Sequence, residues 1–149
     1  MENAAFNISE IETILKENKI KNTRQRQCVL EFLSTCKQPV TAEFIYQSLY
    51  KEMGEAALNM STVYRVLDIM VKHKIINKIN LLNDNKATYE FNRREHKHHL
   101  VCIKCNLVTP ISGCPLKGYE QALTQSTHYE ILEHKLEIFG VCPNCQKKN

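Results

Sequence analysis

Ser61-Thr62-Val63-Tyr64-Arg65-Val66-Leu67-Asp68-Ile69-Met70-Val71-Lys72-His73-Lys74-Ile75-Ile76-Asn77-Lys78-Ile79 is where the chain changes period. Up to Lys72, the apolar residues Val63, Leu67, Met70 and Val71 recur at helical spacing, with Tyr64, Arg65, Asp68 and Lys72 elsewhere around the wheel. After His73 the run Ile75–Ile79 reads as a short strand. Ala87-Thr88-Tyr89-Glu90-Phe91 reads as its partner, and Asn83-Asp84-Asn85-Lys86 as the turn between them. Upstream lie more helices. Ser9-Glu10-Ile11-Glu12 has the form of a capping box ahead of Ile14 and Leu15. Thr23 can cap a helix carrying Val29, Phe32, Leu33 and Cys36. Pro39 breaks the chain, and Thr41 caps a third helix with Phe44, Ile45 and Leu49, fading near Gly54. Helices followed by a hairpin is the order of a winged helix-turn-helix, in which one helix enters the DNA major groove and the hairpin lies along the backbone. A generic small α+β bundle has the same pattern.

The second half is built around Cys102-Ile103-Lys104-Cys105 and Cys142-Pro143-Asn144-Cys145. Each C-x-x-C places two sulfurs on one side of a tight turn, and two such pairs close a tetrahedron of thiolates suited to structural zinc. Each pair follows a mostly apolar run, His99-Leu100-Val101 and Leu136 to Val141. Two strands ending side by side would therefore deliver Cys102, Cys105, Cys142 and Cys145 to one point. Two disulfides or a redox pair are the alternatives. No secretory context favours the first and no βαβ pattern the second. Between the pairs the sequence predicts a short strand at Leu107-Val108-Thr109 and a helix opened by Pro115 with Leu116, Tyr119 and Leu123 on its apolar stripe. A long strand from Tyr129 to Val141 follows, with His134, Leu136 and Ile138 on one face. This part has about 60 residues, too few for a generous core, so zinc and a partner subunit would both help. The fold class expected is α+β: a winged-helix domain over residues 1–91, a hinge at Asn92-Arg93-Arg94-Glu95, and a small α/β metal-binding domain over 96–149.

Composition bounds the function classes. At 149 residues with 43% hydrophobic content, the chain holds one compact domain or two small ones. The first thirty residues include acids and no long apolar run, so no signal peptide is expected. Nothing approaches the roughly 18 apolar residues of a membrane span. A cytoplasmic location follows as the expectation, with thiols kept reduced for metal. Net charge is +4, which permits nucleic-acid binding without arguing for it. Lys16, Lys19, Lys21, Arg24 and Arg26 form a basic cluster with Glu17 as its one acid; a solvated helix face has the same composition.

Ser61-Thr62-Val63-Tyr64-Arg65-Val66-Leu67 resembles the recognition-helix motif of the ferric-uptake-regulator (Fur) family of metal-dependent repressors. Glu95-His96-Lys97-His98-His99-Leu100-Val101-Cys102-Ile103-Lys104-Cys105 is similar to that family's His-rich segment running into its first cysteine pair. The likeness runs from Thr23-Arg24-Gln25-Arg26 to the last C-x-x-C. It implies an N-terminal DNA-binding domain, a hinge, a C-terminal dimerisation domain, operator DNA and a second copy of the chain as partners, and no enzymatic activity. Gly113-Cys114-Pro115-Leu116 and the run His134 to Cys145 resemble the zinc-uptake-regulator branch. On this reading Tyr64 and Arg65 contact bases or phosphates, Ser61 and Thr62 at the helix start suit phosphate, and Arg24 and Lys21 hold backbone.

The regulatory ligands are less regular. His96 and His98 share one face of an extended stretch and can chelate together, while His99 points the other way. The resemblance implies a site from His96, His98 and His134 completed by an acid. The aligned residue is Lys117, which cannot ligate while charged, leaving Glu120 or Cys114 as substitutes. The family's hinge-spanning site is matched here by Glu90 and His99, but Lys97 and Pro39 stand at its two other positions. A site rich in imidazole with an available thiolate suits Zn2+ better than Fe2+, so the expected cofactors are a structural Zn2+ and a second, regulatory divalent metal, zinc ahead of iron. An iron- or peroxide-responsive regulator is the alternative. A zinc hydrolase using His96, His98 and His134 lacks a general base such as H-E-x-x-H provides. Tyr64-Arg65 on a helix before a hairpin argues against a zinc-ribbon interaction module without DNA binding.

Overall fold

The computed structural model describes residues 4–54, 58–82 and 86–148. The chain divides into two compact units, Met1–Arg93 and Arg94–Asn149. Most of the sequence-predicted hairpin turn, Asn83 to Asn85, lies outside the described residues.

The first unit is helices on a small sheet. Helix α1 spans Ile8–Glu17. Its capping box differs from the sequence expectation: Asn7 is the N-cap, accepting from the Glu10 backbone N–H at 2.9 Å, while the Glu10 carboxylate accepts from Asn7 N–H at 2.8 Å. Ser9 sits inside the helix, where its carbonyl takes the Thr13 hydroxyl. Asparagine satisfies a free N–H as well as serine does, so composition could not choose between the two frames. Thr23 caps α2 (Arg24–Thr35) and Thr41 caps α3 (Ala42–Met53). Gly54, at φ 75°, stops α3 in a conformation that disfavours other residues. Helix α4 spans Met60–Lys72 behind the N-cap Asn59.

Strand β1 is Val40–Thr41, β2 is Ile76–Asn80 and β3 is Ala87–Phe91, in the order β1-β3-β2. β2 and β3 pair antiparallel, with Lys78 opposite Tyr89. Fully buried Ile11, Leu15, Val29, Leu30, Ile45, Val63, Leu67 and Met70 form the core. On α4 the helix rotates so that Val66 is buried and Val71 only half-buried. On α3, Ala42 joins Ile45 and Leu49 inside, whereas Phe44 is half-exposed against Phe32. The unit ends in a clasp. Phe6 stacks on Phe91 at 4.7 Å, the Arg93 guanidinium lies 5.4 Å from the Phe6 ring, and Arg93 Nη2 donates to the Ser34 carbonyl at 2.7 Å. Asn92 and Arg93, assigned by sequence to the hinge, are both bonded within this unit.

In the second unit, β4 (His98–Cys102), β5 (Val108–Ile111) and β6 (Glu137–Gly140) form a sheet in the order β5-β4-β6. β6 runs parallel to β4 and sets Cys102 opposite Gly140. The strand expected from Tyr129 to Val141 is therefore reduced to Glu137–Gly140, and 128–136 is irregular. Only that end finds β4 to pair with, while Tyr129 and Leu132 are exposed at 74% and 86%. Helix α5 spans Lys117–Thr127, so Pro115 lies in the turn before it rather than in its first turn. A short α6 spans Pro143–Gln146.

Candidate metal centres and nucleic-acid interface

The four cysteines meet where β4 and β6 end. Cys102 closes β4, the chain turns through Ile103 and Lys104 to Cys105, and Asn106 N–H returns to the Cys102 carbonyl at 2.9 Å. On the other side Cys142 precedes α6 and Cys145 lies within it. The four Sγ atoms fall within 4.8 Å of one another. A tetrahedron with Zn–S bonds of about 2.3 Å has edges of about 3.8 Å, and Cys105 Sγ to Cys142 Sγ is 3.8 Å. Backbone N–H groups aim at the cluster: Cys142 N–H donates to Cys102 Sγ at 3.3 Å. Such bonds, with that from Cys142 first and Cys105 next, pull the Cys102 thiol down to about 6, whereas Cys145 is pushed up to about 12 by its hydrogen bonds to the Cys142 and Cys105 sulfurs. The opposite shifts have one cause. A single thiolate is stabilised by backbone dipoles, but further thiolates beside it need a cation. The residues therefore fit a four-thiolate metal site.

A second cluster lies at the start of β4. Donor atoms of His96, His98, Cys114 and His134 also fall within 4.8 Å of one another. Gly113, at φ 77°, turns the chain out of β5 just ahead of Cys114. His134 comes from the irregular 128–136 segment. For a tetrahedral ion with N bonds of about 2.05 Å and an S bond of about 2.3 Å, edges of about 3.3 Å between nitrogens and about 3.5 Å from nitrogen to sulfur are required. His134 Nε2 stands 3.0 Å from His96 Nε2 and 3.2 Å from His98 Nε2. Cys114 Sγ is 3.5 Å from His98 Nε2 and 3.4 Å from His134 Nε2. Burial first, then the neighbouring His96 and His134 imidazoles, lowers the His98 pKa and keeps it in the neutral, ligating form.

Glu120 is not one of the four clustered residues; its carboxylate bonds His134 Nδ1. Glu90 and His99 belong to no cluster of three or more metal-binding groups among the described residues. Glu90 lies across from Asn77 on β2–β3, and His99 is buried on β4. Lys97 pairs with Glu95 at 2.7 Å.

On the first unit, α3 and α4 make the helix-turn-helix. Tyr64, Arg65 and Ser61 are exposed on α4, as are Lys21 and Arg24 near the start of α2. Thr62 is partly engaged in the cap, since both its N–H and its hydroxyl donate to Asn59 Oδ1. The Tyr64 hydroxyl donates to Glu43 Oε1 at 3.2 Å. Sequence places the start of this helix around Asn59 to Ser61, and Asn59 is its N-cap. Sequence reading missed Glu43, which is 21 residues from Tyr64 and carries no local signal.

A winged-helix unit joined to a unit bearing a four-cysteine cluster and a histidine–cysteine cluster defines a metal-responsive DNA-binding regulator. Residues 17–139 match the ferric uptake regulator family, and the chain belongs to it. The ferric uptake regulation protein of Neisseria meningitidis (serogroup A) is 30% identical over 135 residues, covering 90% of this chain and 92% of that protein. The Helicobacter pylori ferric uptake regulator, described as having three functional metal-binding sites, superposes with a TM-score of 0.77 at 21% identity over 95% of both chains. A zinc uptake regulator solved with zinc and DNA superposes at 0.64 with 19% identity, over 95% of this chain and 93% of that one. The chain is thus a metal-responsive transcription regulator, not a zinc hydrolase or other enzyme. Among the described residues no helix is long and apolar enough to cross a membrane.

Proposed function

We propose that this regulator is a zinc-dependent repressor of metal-uptake genes that binds a pseudo-palindromic operator as a homodimer when its regulatory site is loaded. The observation that carries the zinc reading is the donor set of three imidazole Nε2 atoms and the Cys114 thiol, spaced as a tetrahedral ion requires. Thiolate and imidazole donors favour Zn2+ over Fe2+. Residues 1–93 serve as the DNA-binding half, Arg94 and Glu95 as the hinge and 96–149 as the dimerisation half. Cys102, Cys105, Cys142 and Cys145 hold a structural zinc. His96, His98, His134 and Cys114 hold the regulatory ion. Once bound there, the metal supplies charge neutralisation and a cross-link among three chain segments.

Two copies of α4 then enter successive half-sites. Tyr64 and Arg65 face the bases or phosphates, Ser61 and Thr62 the phosphates, and Arg24 and Lys21 the backbone. A useful switch needs the DNA-competent form to bind metal about a hundredfold more tightly, roughly 2.7 kcal/mol.

The test is a titration of A/T-rich palindromic DNA, read by anisotropy, with chelator-treated protein that keeps its four-cysteine zinc. Zinc should switch on binding at lower free concentration than ferrous iron under anaerobic conditions. Iron acting at the lower concentration would overturn the zinc reading and establish an iron-responsive regulator, a reading supported by the similarity to a ferric uptake regulation protein.

A further inference from the structure

His134 faces two ways. Its Nε2 joins the cluster, 3.0 Å from His96 Nε2 and 3.4 Å from Cys114 Sγ. Its Nδ1 meets Oε1 of Glu120, in the first turn of α5. Neutral imidazole carries one ring proton. If that proton sits on Nδ1, donated to the carboxylate, the lone pair must sit on Nε2, the nitrogen aimed at the cluster. The pair is largely shielded, with side-chain exposures of 16% for His134 and 26% for Glu120, so water competes only partly for the bond. His98 has no equivalent: its Nδ1 is buried without a hydrogen-bond partner among the described residues. Helix α5 has no buried residue of its own, and this bond ties its first turn to the 128–136 segment.

We propose that Glu120 is a positioning residue of the regulatory site: it holds His134 in the orientation and tautomer that present Nε2 to the metal, without itself becoming a ligand. The proposal rests on reading the His96–His98–His134–Cys114 cluster as the regulatory site. Its physical basis is the carboxylate–histidine–metal relay, in which the outer carboxylate orients the ring and raises its basicity. It also makes the first turn of α5 responsive to occupancy, because the strength of the Glu120–His134 bond depends on what His134 Nε2 binds.

The experiment uses full-length protein with zinc already in the four-cysteine site and Co2+ titrated into the second site. Absorption reports the thiolate charge-transfer band and the tetrahedral ligand-field envelope. Wild type should take up one Co2+ with a thiolate band that Cys114→Ser abolishes. Glu120→Ala should bind Co2+ and Zn2+ about 10- to 100-fold more weakly, with an unchanged spectrum at saturation. Glu120→Gln, whose amide oxygen can still accept from Nδ1–H, should lose less affinity than Glu120→Ala, and it guards against a folding defect in the alanine variant. The zinc midpoint for operator binding should move by the same factors. Unchanged affinity in Glu120→Ala, even with a lowered melting temperature, overturns the proposal by reducing Glu120 to a structural role. An altered ligand-field envelope in Glu120→Ala overturns it by making Glu120 a ligand. Failure of the underlying site reading looks different: wild type would take up no second Co2+, or its thiolate band would survive Cys114→Ser.

Discussion

Arg65 and Cys105 are exposed, on α4 and in the β4–β5 turn, and neither contributes to a core. What each does must therefore come from what it binds. Arg65→Ala should weaken operator binding while leaving dimerisation and metal content unchanged. A phosphate contact predicts uniform loss on all DNA and a salt slope lower by about one, and a base contact predicts relaxed sequence preference. Cys105→Ser should remove the tightly held zinc and melt the second unit earlier, because structural zinc is folding free energy. For a unit this small a loss of about 2 kcal/mol lowers Tm by roughly 10 °C, and elemental analysis with calorimetry checks both. His98 and Lys97 are neighbours with opposite expectations. His98→Ala should lose zinc-dependent DNA binding by at least about tenfold while keeping the four-cysteine zinc. Lys97→Ala breaks only a surface pair with Glu95, worth under about 1 kcal/mol, and should respond to zinc as wild type does. Zinc titrations read by DNA anisotropy separate the two.

At the scale of elements, several boundaries follow from local chemistry. Thr23, Thr41 and Asn59 each accept a backbone N–H at a helix start, so α2, α3 and α4 begin where a side-chain oxygen is available. The end of β3 is held differently. Phe6, Phe91 and Arg93 come together from opposite ends of the first unit, with Phe6 N–H donating to Ser34 Oγ at 3.1 Å. Phe6→Ala removes a stacked ring and a cation–π partner from a half-buried position. It should cost about 1–3 kcal/mol in urea unfolding of the first unit, with metal binding at the second unit unaffected.

For the whole molecule, stability should fall at high pH through Tyr89. Burial first, with Asp68 next, pushes its phenol up to about 12 from the ordinary value of 10. Between about pH 10 and 12 the unfolded chain has lost this proton and the folded chain retains it, so stability declines as pH rises through that window. Tyr89→Phe has no proton to lose and should flatten the alkaline limb of a pH–stability curve while leaving the neutral region little changed. Equilibrium denaturation from pH 8 to 12 measures it.

The order of helices and hairpin was legible because periods of 3.6 and 2 are local properties of side-chain direction. So was the four-cysteine cluster, since a C-x-x-C turn aims both sulfurs one way wherever it occurs. The capping frame of α1, the start of α5 and the extent of β6 were not, for each depends on a competition the sequence does not rank. Asn7 and Ser9 cap equally well, and 128–136 becomes irregular where no strand lies alongside. The histidine–cysteine cluster was half legible. His96 and His98 announce themselves by alternation, and the likeness to the family pointed to His134, but between Glu120 and Cys114 the sequence offered no choice. Tertiary structure places the Cys114 sulfur among the three Nε2 atoms and Glu120 behind His134. That choice turns on distances between groups 14 to 38 residues apart, set by the turn at Gly113 and the path of 128–136, and no local pattern encodes them.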